Sequence, residues 1–327
     1  MAEQEKSKVV LRGVTDATLA AMVQECLERC EWDRLVGRDA TVVIKPNLCS
    51  AVPATWRMAN TDVRITRAVC EVLSTRTRRI YIGESSGLRH RAQECFAISG
   101  YVEMAKEMGV DLVNFTEVPW TRVPCEPVGE IELPRLLMEA DVFITLPVLK
   151  THALTYFTGA LKNQWGCLPQ YDRILFHKHL DPMLVSLQAL LKPKLTIMDG
   201  IIAMEGRGPT NGKPRRLDLI LASQDPVAVD ATAMRLTGLD PQRARHIVLA
   251  AEQRLGRMNP EEIEVDGDWE KHATKFEPAV LDKAVWAMNF MSRYRWFVKH
   301  ILERDTVFYP VRALVQLMRK VGVVEGG

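Results

Sequence analysis

Residues 141–152 read DVFITLPVLKTH. Val142 to Leu146 is a short apolar run rich in β-branched residues, Pro147 interrupts it, and Lys150, Thr151 and His152 close it with an ammonium, a hydroxyl and an imidazole. The pattern recurs. Thr41 to Ile44 leads into Lys45-Pro46-Asn47, Arg79 to Ile82 into Gly83-Glu84-Ser85-Ser86, and Lys194 to Met198 into Asp199-Gly200. Val110 to Phe115 and Leu217 to Ala222 have the same texture. Apolar runs without alternation predict strands covered on both faces, as in a parallel sheet. In an open parallel α/β sheet ligands bind beyond the carboxyl ends of the strands, so four polar strand ends predict one shared cleft.

The segments between carry helix signals. Thr61 or Asp62 precedes Val63 to Thr75, Asp181-Pro182 precedes Met183 to Leu191, Asp225-Pro226 precedes Val227 to Leu236, and Asp240-Pro241 precedes Gln242 to Leu255. An Asp N-cap offers an acceptor to free backbone N–H groups, and Pro at the first helical position presets φ. Gly109, Gly238 and Gly256 stand where left-handed caps end helices. The alternation predicts an α/β fold over residues 1–260, a mostly parallel sheet flanked by helices, followed by a helical, aromatic-rich C-terminal extension over 261–327.

Composition excludes several classes. A chain of 327 residues that is 47% hydrophobic can bury a sizeable core. The net charge is +2, and Lys and Arg alternate with Asp and Glu, so no nucleic-acid footprint is expected and small anions are the favoured partners. Seven cysteines, an odd number without a C-x-x-C pair, argue against a disulfide framework and a zinc knuckle. Met1 to Lys8 is polar, and no apolar run long enough to span a bilayer occurs, so the expected compartment is the cytoplasm.

The stretch from Thr145 to Gly212 is crowded with polar groups that a crossover between strands does not need. It holds Lys150-Thr151-His152, Thr158-Gly159-Ala160-Leu161-Lys162-Asn163, His177-Lys178-His179, Asp199-Gly200 and the glycine-rich loop Glu205 to Gly212. With KPNL at Lys45 to Leu48, GES at Gly83 to Ser85 and DPVAVD at Asp225 to Asp230, these segments, in this order, resemble the DUF362 family from about Val42 to Asp240. The resemblance implies no defined activity. It implies that many relatives add a ferredoxin-like module with paired iron–sulfur motifs, whereas this chain has no C-x₂-C-x₂-C-x₃-C run. The sheet-plus-loop layout also resembles the lactate racemase type of fold, although no motif carries that likeness.

Each candidate has a chemical reason. Lys45 and Lys162 can meet a phosphate or carboxylate as point charges, with Asn47 and Asn163 beside them, and Arg207 offers a third charge next to Glu205. Lys150 and His152 would supply a clamp and a group titrating near neutrality, and Glu84 or Asp199 could move protons. His177 and His179 would face one ion from an extended segment, with Asp199 or Glu205 as oxygen donor. Asp225 reads as an N-cap and Asp230 as a partner behind a lysine or histidine. The residues single out no cofactor. They fit an enzyme acting on a small anionic metabolite by isomerisation, racemisation, elimination or reduction, or else a binding or electron-transfer accessory protein.

Beyond Asn259 the texture changes. Trp286, Phe290, Tyr294-Arg295-Trp296-Phe297, Val307-Phe308-Tyr309 and the helical Val311 to Val321 place aromatics among Arg293, Lys299, Arg312, Arg319 and Lys320. Apolar residues at helical spacing favour packing or a homodimer. A basic, Trp-rich amphipathic surface also suits peripheral membrane contact.

Overall fold

The computed structural model describes residues 6–87, 90–281, 283–302, 304, 306 and 310. Twelve strands are defined there: β1 (Ser7–Gly13), β2 (Val42–Pro46), β3 (Ile80–Glu84), β4 (Asp111–Asn114), β5 (Trp120–Cys125), β6 (Gly129–Pro134), β7 (Val142–Leu146), β8 (Val148–His152), β9 (Tyr156–Phe157), β10 (Leu195–Glu205), β11 (Lys213–Ser223) and β12 (Ile263–Asp266). The main sheet runs β12-β1-β11-β10-β7-β2-β3-β4, with β8 added beside β10 and β9 paired to β8, while β5 and β6 form a separate hairpin. Within the main path only β11 runs against its neighbours. The fold is therefore α/β, a mostly parallel sheet flanked by helices, as the strand texture predicts.

All six strands expected from sequence are present. In the parallel core Ile44 stands level with Ile82 and Ile144, and one step on Lys45 stands level with Thr145. Alternate residues serve opposite faces. Ile44, Ile82 and Ile144 pack with Leu19, Val23, Ile65 and Val69 from the helices Leu19–Arg29 and Val63–Leu73. Val43 and Phe143 pack on the other side with Met183, Leu184 and Leu187 of the helix Leu180–Leu191.

Beyond Pro147 the chain resumes as β8 alongside the long β10, so Lys150 is level with Met204 and not with the ends of β2 and β3. That offset carries Lys150 and His152 past the point where the central strands stop. β1 was not expected, because its run follows a polar leader; its pairing with β11 supplies the order that local propensity does not. β12 pairs with β1, and Phe276 is buried among Leu236 and Met258, so the α/β body continues past residue 260. The helices Lys283–Met291 and Arg295–Phe297 and the π-helical turn Val298–Leu302 follow. Val307-Phe308-Tyr309 and Val311 to Val321 lie outside the described residues. Among the described residues no helix is long and apolar enough to cross a membrane.

The caps show where the aspartates act. Asp62 accepts from the Arg64 N–H at 3.0 Å and Asp240 from the Gln242 N–H at 2.9 Å. Asp240 opens a 3₁₀ turn, Pro241–Arg243, and the α-helix begins only at Arg245. Asp181 is no cap: its helix starts one residue earlier, at Leu180. Asp225 Oδ1 accepts from Val227 and Ala228, while Oδ2 accepts from Ser7 Oγ at 2.6 Å and Arg257 N at 2.8 Å. One carboxylate thus joins the start of β1, a helix N-terminus and the segment after Gly256. Asp225→Ala is expected to lower stability by about 2 kcal/mol, the upper end for a cap, with Asp225→Asn losing less because its amide oxygen can still cap. Urea denaturation measures this; an unchanged midpoint for Asp225→Ala would contradict the assignment.

Candidate functional site

Lys45 is the last but one residue of a strand buried along its whole length, and Glu84 ends the neighbouring strand. Parallel pairing brings them together at the same edge, where Lys45 Nζ donates to Glu84 Oε2 at 2.8 Å, to Pro46 O at 2.9 Å and to Asn163 Oδ1 at 3.2 Å. Glu84 also accepts the Leu48 N–H on Oε2 and the Ser85 N–H on Oε1, both at 3.0 Å. Asn163 Nδ2 donates back to Lys45 O and to Thr145 Oγ1, tying the pair to β7. Both charges are buried, and both are matched. Gly166 lies directly over them: a Cβ there would stand 2.4 Å from Glu84 Oε1 and 2.7 Å from Lys45 Nζ, so only glycine permits this approach.

Above this pair opens a cleft of about 320 Å³. Lys45, Asn47, Glu84, Lys162, Asn163 and His177 line it, so six of the residues expected from sequence converge. Lys162 comes from the short helix Gly159–Asn163, whose N-terminal Ala160 and Leu161 N–H groups donate to the buried carboxylate of Asp230 at 2.6 and 3.0 Å. Asp230 thus acts behind Lys162 as a positioning group. Burial pushes its carboxyl up to about 8.

The Lys162 ammonium lies 5.5 Å from the centre of the Trp165 ring, and among the described residues it has neither a carboxylate partner nor a hydrogen bond. Burial, then the charges of Arg173 and Lys150, push it down to about 7. Arg173 enters the cleft from the 3₁₀ segment Tyr171–His179 and donates to two neutral carbonyls, Ser86 O at 3.1 Å and Leu168 O at 2.7 Å. Ser85 lines the cleft, and its Oγ is buried without a hydrogen-bond partner among the described residues, where a native polar group ordinarily has one.

His177 packs its ring 5.3 Å from that of Trp165, and burial, reinforced by Lys162, pushes its imidazole down to about 3, so it is neutral in the physiological range. His179 is not among the cleft-lining residues. The shared-ion expectation required an extended segment, but a 3₁₀ helix has three residues per turn and sends i and i+2 apart. Asp199 and Glu205, the expected oxygen donors, are engaged elsewhere. Asp199 accepts the Asp62 N–H at 2.8 Å and the Ile201 N–H at 2.9 Å, holding the start of the helix Val63–Leu73. Glu205 pairs with Arg215 at 3.1 Å and accepts the Glu277 N–H at 3.0 Å. Among the described residues no three His, Cys, Asp or Glu side chains gather as a metal-ligand set.

Lys150 does not line the cleft but lies behind it, donating to Ala59 O at 2.9 Å and to Sγ of the lining residue Cys49 at 3.3 Å. His152 is buried. Its Nδ1 accepts the N–H groups of Leu154 and Thr155 at 3.1 and 3.2 Å, which leaves the ring proton on Nε2. A second proton would have to displace both bonds, and burial, with Lys162 nearby, holds the imidazole well below its ordinary basicity. In the glycine-rich loop, Thr210 rather than Arg207 reaches the cleft, and Gly208 packs so closely on Thr151 O that a Cβ would meet it at 1.7 Å.

Sequence reading missed Arg173, Trp165, Cys49 and Ser85 as lining groups. Its signal for the Tyr171–His179 segment lay in period three: Tyr171, Ile174 and His177 share one face of the 3₁₀ helix and all line the cleft. A larger depression, about 540 Å³, lies between β1, β11 and residues 267–272. There Arg12 is paired with Glu25 and Asp266, and the lining cations Arg12 and Lys271 are matched in number by the lining carboxylates Asp218 and Asp268, unlike the cleft.

Fold and site together define a mostly parallel α/β protein with a cationic cleft at the carboxyl ends of its strands. Residues 42–235 match the model of DUF362, a domain of unknown function, and the chain belongs to that family. It is 30% identical over 231 residues to a thylakoid-associated protein of Synechocystis sp., covering 68% of this chain and 70% of that protein. Its fold is similar to the lactate racemase apoprotein of Thermoanaerobacterium thermosaccharolyticum, with a TM-score of 0.47 and 12% identity, over 72% of this chain and 58% of that one.

Breaking one member of a buried ion pair strands the other charge, so Lys45→Met and Glu84→Leu are each expected to cost about 3–5 kcal/mol. The double variant should cost less than the sum. Guanidinium denaturation gives the cycle; strictly additive losses would contradict the coupling drawn between these two side chains.

Proposed function

We propose that this protein is an enzyme acting on a small anionic metabolite, a carboxylate or phosphate, bound in the cleft above the Lys45–Glu84 pair. The observation that carries this reading is the imbalance of charge. Among the described residues the one carboxylate lining the cleft, Glu84, is committed to Lys45, and neither Lys162 nor Arg173 has an acidic partner. Two cations held together without a counter-charge repel each other, and an anion between them removes that cost. Ser85 Oγ, unpartnered in the same wall, supplies a hydrogen-bond donor to such a ligand.

Lys162 fits the role of proton carrier, because a lysine that titrates near neutrality can both give and take a proton there. With the anionic group of the substrate held by Arg173 and Ser85, Lys162 would act on a hydrogen at the adjacent carbon. That chemistry belongs to isomerisation, racemisation or elimination. His177, neutral beside Trp165, would donate or accept a hydrogen bond without adding charge. Lys150 and His152 support the wall from behind, and Asp199, Glu205 and Arg207 have no part in this reading.

Sulfate, whose charge is fixed across the neutral range, is the probe. The folded protein holds Lys162 below the ordinary lysine value, so its ammonium is fully formed only below about 7 and is lost as pH rises through that point. Calorimetry is therefore expected to show sulfate affinity falling with rising pH, with the midpoint displaced upward by the bound anion, which favours the charged amine. Lys162→Ala should weaken binding about tenfold or more and flatten the pH dependence, in line with losing one charge-assisted contact. Equal affinity and an unchanged profile in Lys162→Ala would overturn the reading.

A further inference from the structure

The helix Lys283–Met291 and the turn after it carry aromatic side chains into solvent. Trp286 is 56% exposed, Phe290 38%, Tyr294 54% and Trp296 65%. The first three form a ladder: Trp286 and Phe290, four residues apart, stack with ring centres 5.5 Å apart, and Tyr294 meets Phe290 edge-on at 6.0 Å. The Arg293 guanidinium sits 5.5 Å from the centre of the Phe290 ring. Residues 283–302 contain Lys283, Arg293, Arg295 and Lys299 and no Asp or Glu. A soluble monomer seldom presents contiguous exposed aromatics without a partner for them.

The opposite side of this segment is anchored. Val298 is buried against Ile174 and Leu175, and Arg295 reaches Asp172 at 3.7 Å. Ile174 belongs to the cleft wall. The ladder is thus fixed to the Tyr171–His179 segment and faces outward from it.

We infer that residues 283–302 form a binding surface for an anionic lipid bilayer, with Trp286, Phe290, Tyr294 and Trp296 entering the interface and Arg293 and Lys299 meeting the headgroups. Aromatic rings with one apolar and one polar edge settle at the headgroup level, and exposed basic side chains in a stretch that itself holds no Asp or Glu match its negative potential. A second copy of this chain would bring the same cations against one another, so charge favours a bilayer over a self-contact. Docking by this face would hold the Tyr171–His179 wall of the cleft beside the membrane. This surface is independent of what the cleft binds.

Sedimentation of the full chain with phosphatidylcholine vesicles, with and without phosphatidylglycerol, tests the inference. The wild type is expected to pellet with the phosphatidylglycerol vesicles, to be partly released by salt, and to have its tryptophan fluorescence quenched by brominated acyl chains. The Trp286→Ser, Phe290→Ser, Tyr294→Ser triple variant, altered only at exposed positions, should keep the wild-type circular dichroism and partition at least about tenfold less. Arg293→Gln with Lys299→Gln should lower pelleting with the anionic vesicles and weaken its salt dependence. Wild-type protein that stays in the supernatant, or a triple variant that pellets equally, overturns the inference. So does a dimer in light scattering that the triple variant dissolves while neither protein binds vesicles, since the face then belongs to a second copy.

Discussion

The buried ion pair between Lys45 and Glu84 is the constraint around which the rest of the site is arranged. Desolvating a lysine and a glutamate is expensive, and it is tolerated here because the lysine finds three acceptors and the carboxylate three donors. Those partners come from four places in the chain: the turn after β2, the turn after β3, the helix Gly159–Asn163 and, through Asn163, Thr145 of β7. Removing either charge therefore disturbs four segments at once. Gly166 is held to glycine by the same pair, since any side chain there would strike both of its members.

A neutral floor has an electrostatic consequence. Once Glu84 has spent its charge on Lys45, the field in the cleft is set by Lys162 and Arg173, both displaced downward by burial. The scaffold holds them against their repulsion by hydrogen bonding: Asp230 steers Lys162 by capping the helix that carries it, and two backbone carbonyls fix Arg173. Geometry of this kind lowers the free energy of an arriving anion more than it stabilises the empty protein.

Much of the fold was legible because buried parallel strands announce themselves as unbroken apolar runs, and Ile44, Ile82 and Ile144 stand level in three adjacent strands as that texture implies. The strand-end rule held for two of the four polar ends, those of β2 and β3, whereas Lys150 and His152 of β8 and Asp199 of β10 do not line the cleft. What failed was local conformation. His177 and His179 were paired on an extended geometry, yet the segment is a 3₁₀ helix whose period of three brings Tyr171, Ile174 and His177 together instead. Asp199 and Glu205 carry the charges of catalytic groups, but each is spent on backbone N–H groups contributed by distant residues, Asp62 and Glu277, which no local pattern reveals. Arg173 was overlooked because a lone arginine in a polar segment looks solvated until the fold buries it.

The central claim is that an unpaired Lys162 amine, depressed by burial and by neighbouring cations, faces a cleft built for an anion. Nuclear magnetic resonance of the protein labelled at its lysine side chains, with Lys162→Arg assigning the signal, measures that amine directly. The account predicts titration at about 7 in the free protein, a lower charge repulsion and hence a rise in Arg173→Ala, and a further rise when sulfate saturates the cleft. A Lys162 signal that titrates near the ordinary 10.5 and ignores both the substitution and the anion would contradict it.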